Sequence, residues 1–156
     1  MKRSAKVRMA LVGAAVAATT LAVQPASAST GSMTMTGSGV SSPGLGLSTP
    51  PQTFTFSGFG AAATDTYQGS MNCTWNGWDA IGTVVQSSGS FSGTCTFGTT
   101  TEPVSGTYTR NGFVKTVSGT IGPGPVTGSF TGVCTWEPTS APTATSYDEQ
   151  CNYVVH

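Results

Sequence analysis

The chain has little charge to work with. Lys and Arg together number six and Asp and Glu six in 156 residues, and the single histidine is the last residue, His156. Charged residues make up 8%, well below the quarter usual in globular domains. Four of the six bases (Lys2, Arg3, Lys6 and Arg8) fall at the very start. From Ser29 onward only Arg110 and Lys115 oppose Asp65, Asp79, Glu102, Glu137, Asp148 and Glu149, which leaves a net charge of −4. Nucleic acid is therefore not an expected partner, because phosphate binding needs clustered Lys and Arg. Attraction to an anionic lipid surface fails for the same reason. With histidine confined to the terminus, no Ser-His or Cys-His nucleophile can be assembled. No two cysteines stand at the C-x₂₋₄-C spacing of a zinc site. Phosphate-cradling loops, nucleotide fingerprints and calcium loops are also missing, so no cofactor or metal is expected. Helix formers are scarce after Ala28, and no window shows an apolar stripe of period 3.6.

What the first 28 residues do contain is an address. The positive start is followed by an apolar run from Met9 to Val23, and Ala26-Ser27-Ala28 supplies small residues at −3 and −1 of a signal-peptidase site. A membrane anchor needs ~20 apolar residues. This run is shorter, Ala-rich and interrupted by Thr19-Thr20 and Pro25. Cleavage after Ala28 is expected, giving a secreted, extracellular protein with no membrane insertion once the signal is removed.

Gly, Ser and Thr supply 62 of the 128 residues that follow. Such a composition suggests disorder, but disordered chains lack aromatics and β-branched residues, and here Phe, Tyr, Trp and Val recur at regular intervals. Residues 29–51, broken by Pro43, Pro50 and Pro51, read as a flexible or edge-strand lead segment. In it, Met33 and Met35 alternate weakly as an edge strand would. Residues 52–156 read as a single β domain.

A short phrase recurs three times and places three of the four cysteines: Gly69-Ser70-Met71-Asn72-Cys73-Thr74-Trp75, Gly89-Ser90-Phe91-Ser92-Gly93-Thr94-Cys95-Thr96-Phe97, and Gly128-Ser129-Phe130-Thr131-Gly132-Val133-Cys134-Thr135-Trp136. At period 2 each cysteine shares a face with aromatics or methionine, and the other face carries Ser, Thr and Asn. That is the alternation of half-buried strands. Four cysteines in a small exported domain read as two disulfides. Three pairings are open. Cys73–Cys95 with Cys134–Cys151 is favoured because it closes the shortest loops between near-neighbour strands.

Turn residues every 8–12 positions separate the strands, the pattern of a barrel or sandwich. Expected strands run over Thr53–Phe59, Thr66–Trp75, Trp78–Gln86, Ser90–Phe97, Val104–Arg110, Phe113–Ile121, Val126–Trp136 and Ser146–Val155. Asn76-Gly77 predicts a tight hairpin with Trp75 opposite Trp78 and Cys73 opposite Ala80. Ser87-Ser88-Gly89 predicts the next turn. Asn111-Gly112 predicts a second tight hairpin, pairing Arg110 with Phe113, Tyr108 with Lys115 and Gly106 with Val117. Gly122-Pro123-Gly124-Pro125 must be a turn, since its prolines cannot donate to a ladder. A Pro-bearing loop from Glu137 to Pro142 precedes the last strand. The expected fold is an all-β antiparallel meander of about eight strands. A small closed barrel comes first, because closure removes exposed edges, and a β-sandwich is the alternative.

Functional candidates are few. Trp78, Trp75, Trp136 and Tyr108, with Tyr67 and Tyr147, offer rings for a sugar platform or a barrel mouth. Parity argues instead that Trp75 and Trp136 are core partners of Cys73 and Cys134, whereas Trp78 borders a turn. Arg110 and Lys115 beside Tyr108 and Phe113 suggest cation–π pairs. The acids look like turn and rim residues placed for solubility: Asp79 beside Asn76-Gly77, Glu102 and Glu137 before prolines, Asp148-Glu149 near a strand start. Asn72-Cys73-Thr74 has the form of a glycosylation triplet, but its centre is a bridge cysteine.

The leader ending Ala26-Ser27-Ala28, the segment Pro51-Gln52-Thr53-Phe54-Thr55-Phe56-Ser57-Gly58 and the Gly-Ser-Phe-x-Gly-x-Cys strands together resemble the small secreted Gly/Ser/Thr-rich β-proteins of actinobacterial type. That resemblance implies export and a β fold, and brings neither an activity nor site residues. Ser105-Gly106-Thr107-Tyr108 resembles strands of avidin-type barrels at the level of fold alone; no biotin-binding constellation is present. The sequence thus points to a secreted, non-enzymatic β domain that binds neutral carbohydrate or a small apolar ligand. The alternative is a structural or protein-interaction role at the cell surface, with a cell-surface protein as partner. A glycoside hydrolase would need two carboxylates facing across a cleft.

Overall fold

The computed structural model describes residues 27–42, 52–82, 86–139 and 146–156. Eight strands form a closed antiparallel meander: β1 (Gly31–Ser42), β2 (Gln52–Thr64), β3 (Gln68–Gly82), β4 (Gln86–Phe97), β5 (Thr100–Asn111), β6 (Val114–Ile121), β7 (Gly128–Pro138) and β8 (Ser146–Val155). Each pairs with its sequence neighbours, and β1 closes the ring on β8. The barrel is thereby the architecture, and the sandwich is set aside. The apolar run Met9–Val23 and the lead segment's prolines, Pro43, Pro50 and Pro51, lie outside the described residues, as does the chain from 140 to Pro142.

Register fixes the shape. Starting from Thr101 on β5, the in-register partners run through Thr96, Asn72, Phe59, Thr36, Gln150, Thr135 and Val114. They return to β5 at Asn111, ten residues further along. A stagger of this size tilts the strands by roughly 40° to the axis, and an eight-stranded barrel so built is just wide enough for side chains to fill. We call upper the end where β1, β3, β5 and β7 finish.

Large rings cannot occupy every inward position of so narrow a barrel, so inward glycines alternate with them. A Cβ at Gly77 would strike the Phe54 ring, and one at Gly132 the Tyr153 ring. Across the middle, Phe56 stacks on Trp75 at 4.6 Å and 14°, Trp75 meets Phe91 at 5.5 Å, and Phe130 meets Tyr153 edge-on at 5.5 Å. Met33, Met35, Met71 and Val104 fill around them. The cavity left at the centre is about 10 Å³, no larger than one water needs. Both disulfides form as expected. Cys73 faces Cys95 across β3–β4 and Cys134 faces Cys151 across β7–β8, in direct register and inside the barrel.

Four sequence expectations are corrected. Asn76-Gly77 is no hairpin: β3 runs straight through it, so the expected strands Thr66–Trp75 and Trp78–Gln86 are not a hairpin pair. Trp75 lies opposite Gly93, and Cys73 opposite Cys95 rather than Ala80. Glycine serves here as a space for Phe54 rather than as a turn former. Ser87-Ser88-Gly89 is likewise strand, the start of β4 paired with β3 and β5. The expected edge strand in the lead segment is an interior one: β1 spans Gly31–Ser42, with Met33 and Met35 inward and both edges paired, to β2 and to β8. Finally, the β5–β6 hairpin turns at Gly112-Phe113, one residue later than expected. Arg110 pairs with Lys115, Tyr108 with Val117 and Gly106 with Gly119. Of the two turn residues only Gly112 has positive φ, +60°, in the manner of a type II′ turn with glycine first. That shift of two in pairing keeps Tyr108 and Lys115 inward and Thr109 and Thr116 outward, whereas Phe113 falls in the turn and is exposed.

Candidate functional site

At the upper end, Arg110 and Lys115, the two basic residues beyond residue 28, come together. Lys115 on β6 and Glu149 on β8 both point inward and are buried. Lys115 Nζ donates to Glu149 Oε2 at 2.7 Å and lies 2.5 Å from Oε1. Its ammonium also stands 5.2 Å from the Tyr108 ring centroid and 5.7 Å from that of Phe54. The Arg110 guanidinium sits 4.8 Å above Trp136, whose indole N–H donates to the Gly112 carbonyl at 2.9 Å. The expected Lys115–Tyr108 contact is therefore present. Arg110, however, lies on Trp136, and Phe113 packs on Trp136 as well, with centroids 5.7 Å apart. Tyr147 donates its hydroxyl to the Thr55 carbonyl at 3.1 Å. The cavity among Ser41, Phe54, Tyr108, Lys115, Trp136 and Glu149 measures about 30 Å³. Ligand pockets occupy ~300–1,000 Å³, so this mouth is a plug of rings around an ion pair.

Beneath it, Glu149 Oε1 lies 3.2 Å from Cys151 Sγ, and the Tyr153 hydroxyl donates to Cys134 Sγ at 3.6 Å. Burial, and then the charge of Glu149, push the Tyr153 phenol well above its ordinary range. Cys134, Cys151 and Glu149 are close enough to suggest a metal centre. The two sulfurs are bonded to each other, which leaves no thiolate to ligate an ion.

The second inward acid is at the opposite end. Glu102, near the start of β5, has no exposed surface; Oε1 accepts the Val126 N–H at 3.1 Å and Oε2 has no partner. Burial raises its pKa against the opposing pull of that hydrogen bond. Glu102 and Glu149 thus depart from the rim placement expected of them, and they sit at opposite ends of the barrel rather than across a cleft. Asp65 is exposed in the β2–β3 turn. The Thr30 N–H, at 2.8 Å, holds its carboxyl below the usual range. Glu137 and Asp148 are exposed cross-strand neighbours. Among the described side chains, no two carboxylates face each other over a cleft as glycoside hydrolysis requires.

The four candidate ligand contacts are dispersed. Trp75 lies in the central stack, Trp136 and Tyr108 line the plugged mouth, and all three are buried. Trp78 points outward from β3 and is 47% exposed. No shared platform forms. The outer wall instead carries Ser, Thr and Asn in rows, with Thr109–Thr116 and Thr96–Thr101 hydroxyl pairs at 2.6 and 2.9 Å. A ring the sequence reading left unused, Phe59 on β2, stands 67% exposed among them. Its signal was its parity: Phe54 and Phe56 point inward, so Phe59 had to point outward. Lys115 and Glu149 were legible the same way, sharing parity with Val117 and Cys151.

The class defined is an eight-stranded, disulfide-bonded barrel with a filled interior and a hydroxyl-covered wall. Compared with protein-family models, curated proteins and solved structures, the chain matches none.

Proposed function

We propose that the protein is an exported, non-enzymatic binding module that takes neutral carbohydrate on the outer wall of its barrel. The observation that carries this reading is the contrast between a packed interior, with cavities of about 10 and 30 Å³, and a wall of uncharged hydroxyls from which single rings project. A pyranose offers an apolar face to a ring and hydroxyls to Ser, Thr and Asn, and needs no charge. The packing weighs against a small apolar ligand held inside. Export is supported by the leader and by two disulfides, and among the described residues no helix is long and apolar enough to cross a membrane. Rings inward and hydroxyls outward are the reverse of a lipid-facing barrel wall, which favours a water-exposed one. Mixing the mature protein with insoluble neutral polysaccharides is expected to deplete it from solution; no retention on any of them overturns the reading.

A cell-surface protein partner is the second reading. It is favoured by a concavity of about 560 Å³ on the wall of β5–β8, where Val133 and Val154 are half-exposed beside Thr109, Thr116 and Thr131. Specific co-purification of one protein with the mature chain, abolished by Val133→Asp, would support it.

A further inference from the structure

Phe59 and Trp78 stand on the same strand pair. Phe59 on β2 is in register with Asn72 on β3, and from Asn72 the outward positions of β3 run through Thr74 and Asn76 to Trp78. Six residues of strand at about 3.3 Å each set the two rings roughly 20 Å apart. Between them the wall carries Ser57 and Thr55 from β2 beside Thr74 and Asn76 from β3, all exposed. No charged residue occupies these positions. At the Phe59 end the strip deepens into a trough of about 210 Å³ lined also by Thr94 and Thr96.

We propose that this strip is the binding site for one extended, uncharged polysaccharide chain, stacked on Phe59 at one end and on Trp78 at the other. The inference rests on the carbohydrate reading above and adds the site, the linear form of the ligand and its two anchors. Two rings separated by hydroxyls and amides do not make a continuous apolar patch, which is what a protein interface core or a lipid surface would use. They match a polymer that repeats an apolar ring face and a hydroxyl edge over several units. The absence of charge along the strip selects against uronic or sulfated chains, which would meet no cation there.

Affinity electrophoresis of the mature protein through gels containing linear β-glucan, xylan or mannan tests this. At least one polymer is expected to retard the wild type. Phe59→Ala and Trp78→Ala should each weaken binding by about tenfold, the loss of one stacked ring. The double variant should migrate freely. Val133→Thr, on the far wall, should behave as wild type. Circular dichroism checks the fold of each variant, although both rings are exposed. A readout on the unmodified protein stands beside it: of the three tryptophans only Trp78 is exposed, so the polymer should suppress acrylamide quenching of its fluorescence. Wild-type binding that survives in both single variants, or is lost in only one, overturns the two-ring strip while leaving a carbohydrate module intact. No retardation of the wild type by any polymer overturns both.

Discussion

Lys115 and Glu149 form a buried ion pair, 2.5 Å from Nζ to Oε1, within a protein that has almost no charge to bury. Desolvation makes such a pair a poor stabiliser against apolar replacements, but leaving one partner alone is costly. Lys115→Met is therefore expected to cost about 3–5 kcal/mol, because Glu149 is left uncompensated. The double variant Lys115→Met/Glu149→Leu should return to within roughly 1 kcal/mol of the parent. Urea unfolding of the two singles and the double measures this directly. Additive losses would show that the pair does not act as a unit.

Asn76 and Gly77 separate two structural accounts of one dipeptide. In a tight hairpin both would be needed for their conformations. In β3, Asn76 is an exposed strand position while Gly77 leaves room for Phe54. Asn76→Thr should be neutral or slightly stabilising, since Thr suits a strand better than Asn. Gly77→Val should lose about 1–3 kcal/mol or more through overpacking. Thermal unfolding gives both values, and a large loss in Asn76→Thr would restore the hairpin.

The inward pattern was plain in the sequence because sulfur and aromatics alternate with Ser and Thr at period 2. The bridge pairing followed from loop lengths, and β8 lies where the last strand was expected. What misled was glycine. In a barrel this narrow, Gly77 leaves room for the Phe54 ring, and Gly89 for the Trp78 carbonyl and the Tyr108 hydroxyl. A dipeptide cannot disclose that, so Asn76-Gly77 and Ser87-Ser88-Gly89 imitate turns. The error was masked because β1, weakly signalled by Met33 and Met35, supplies the strand that the false hairpin would have added. Charged residues misled in the opposite sense. Their usual preference for water hid the inward parity of Lys115, Glu149 and Glu102. The proposed wall site rests on no special motif, only on the parity of Phe59 together with a β3 long enough to bring Trp78 onto the same strip.

Glu102 gives a pH dependence with a defined sign. Burial raises its carboxyl above the ordinary 4.5, so the folded chain holds this proton more tightly than the unfolded one. The cost of the buried charge is absent at low pH, grows as pH rises from the ordinary value through the raised one, and persists at neutrality. Glu102→Gln keeps an acceptor for the Val126 N–H and removes the charge. It is expected to gain on the parent as pH rises through the ordinary carboxyl value and above it, with that gain absent in acid, where the Glu102 carboxyl is neutral in both folded and unfolded chains. Urea titrations at several pH values check this; a difference that widens toward acid would contradict it.

The most direct test of a filled barrel that binds on its outside is an amide-resolved NMR titration with a soluble neutral polysaccharide. Perturbations should gather at Thr55, Ser57, Phe59, Asn72, Thr74, Asn76 and Trp78, with Tyr108, Lys115, Trp136 and Tyr147 unmoved. Shifts concentrated on those mouth residues, or no shift anywhere with any neutral polymer, would contradict it.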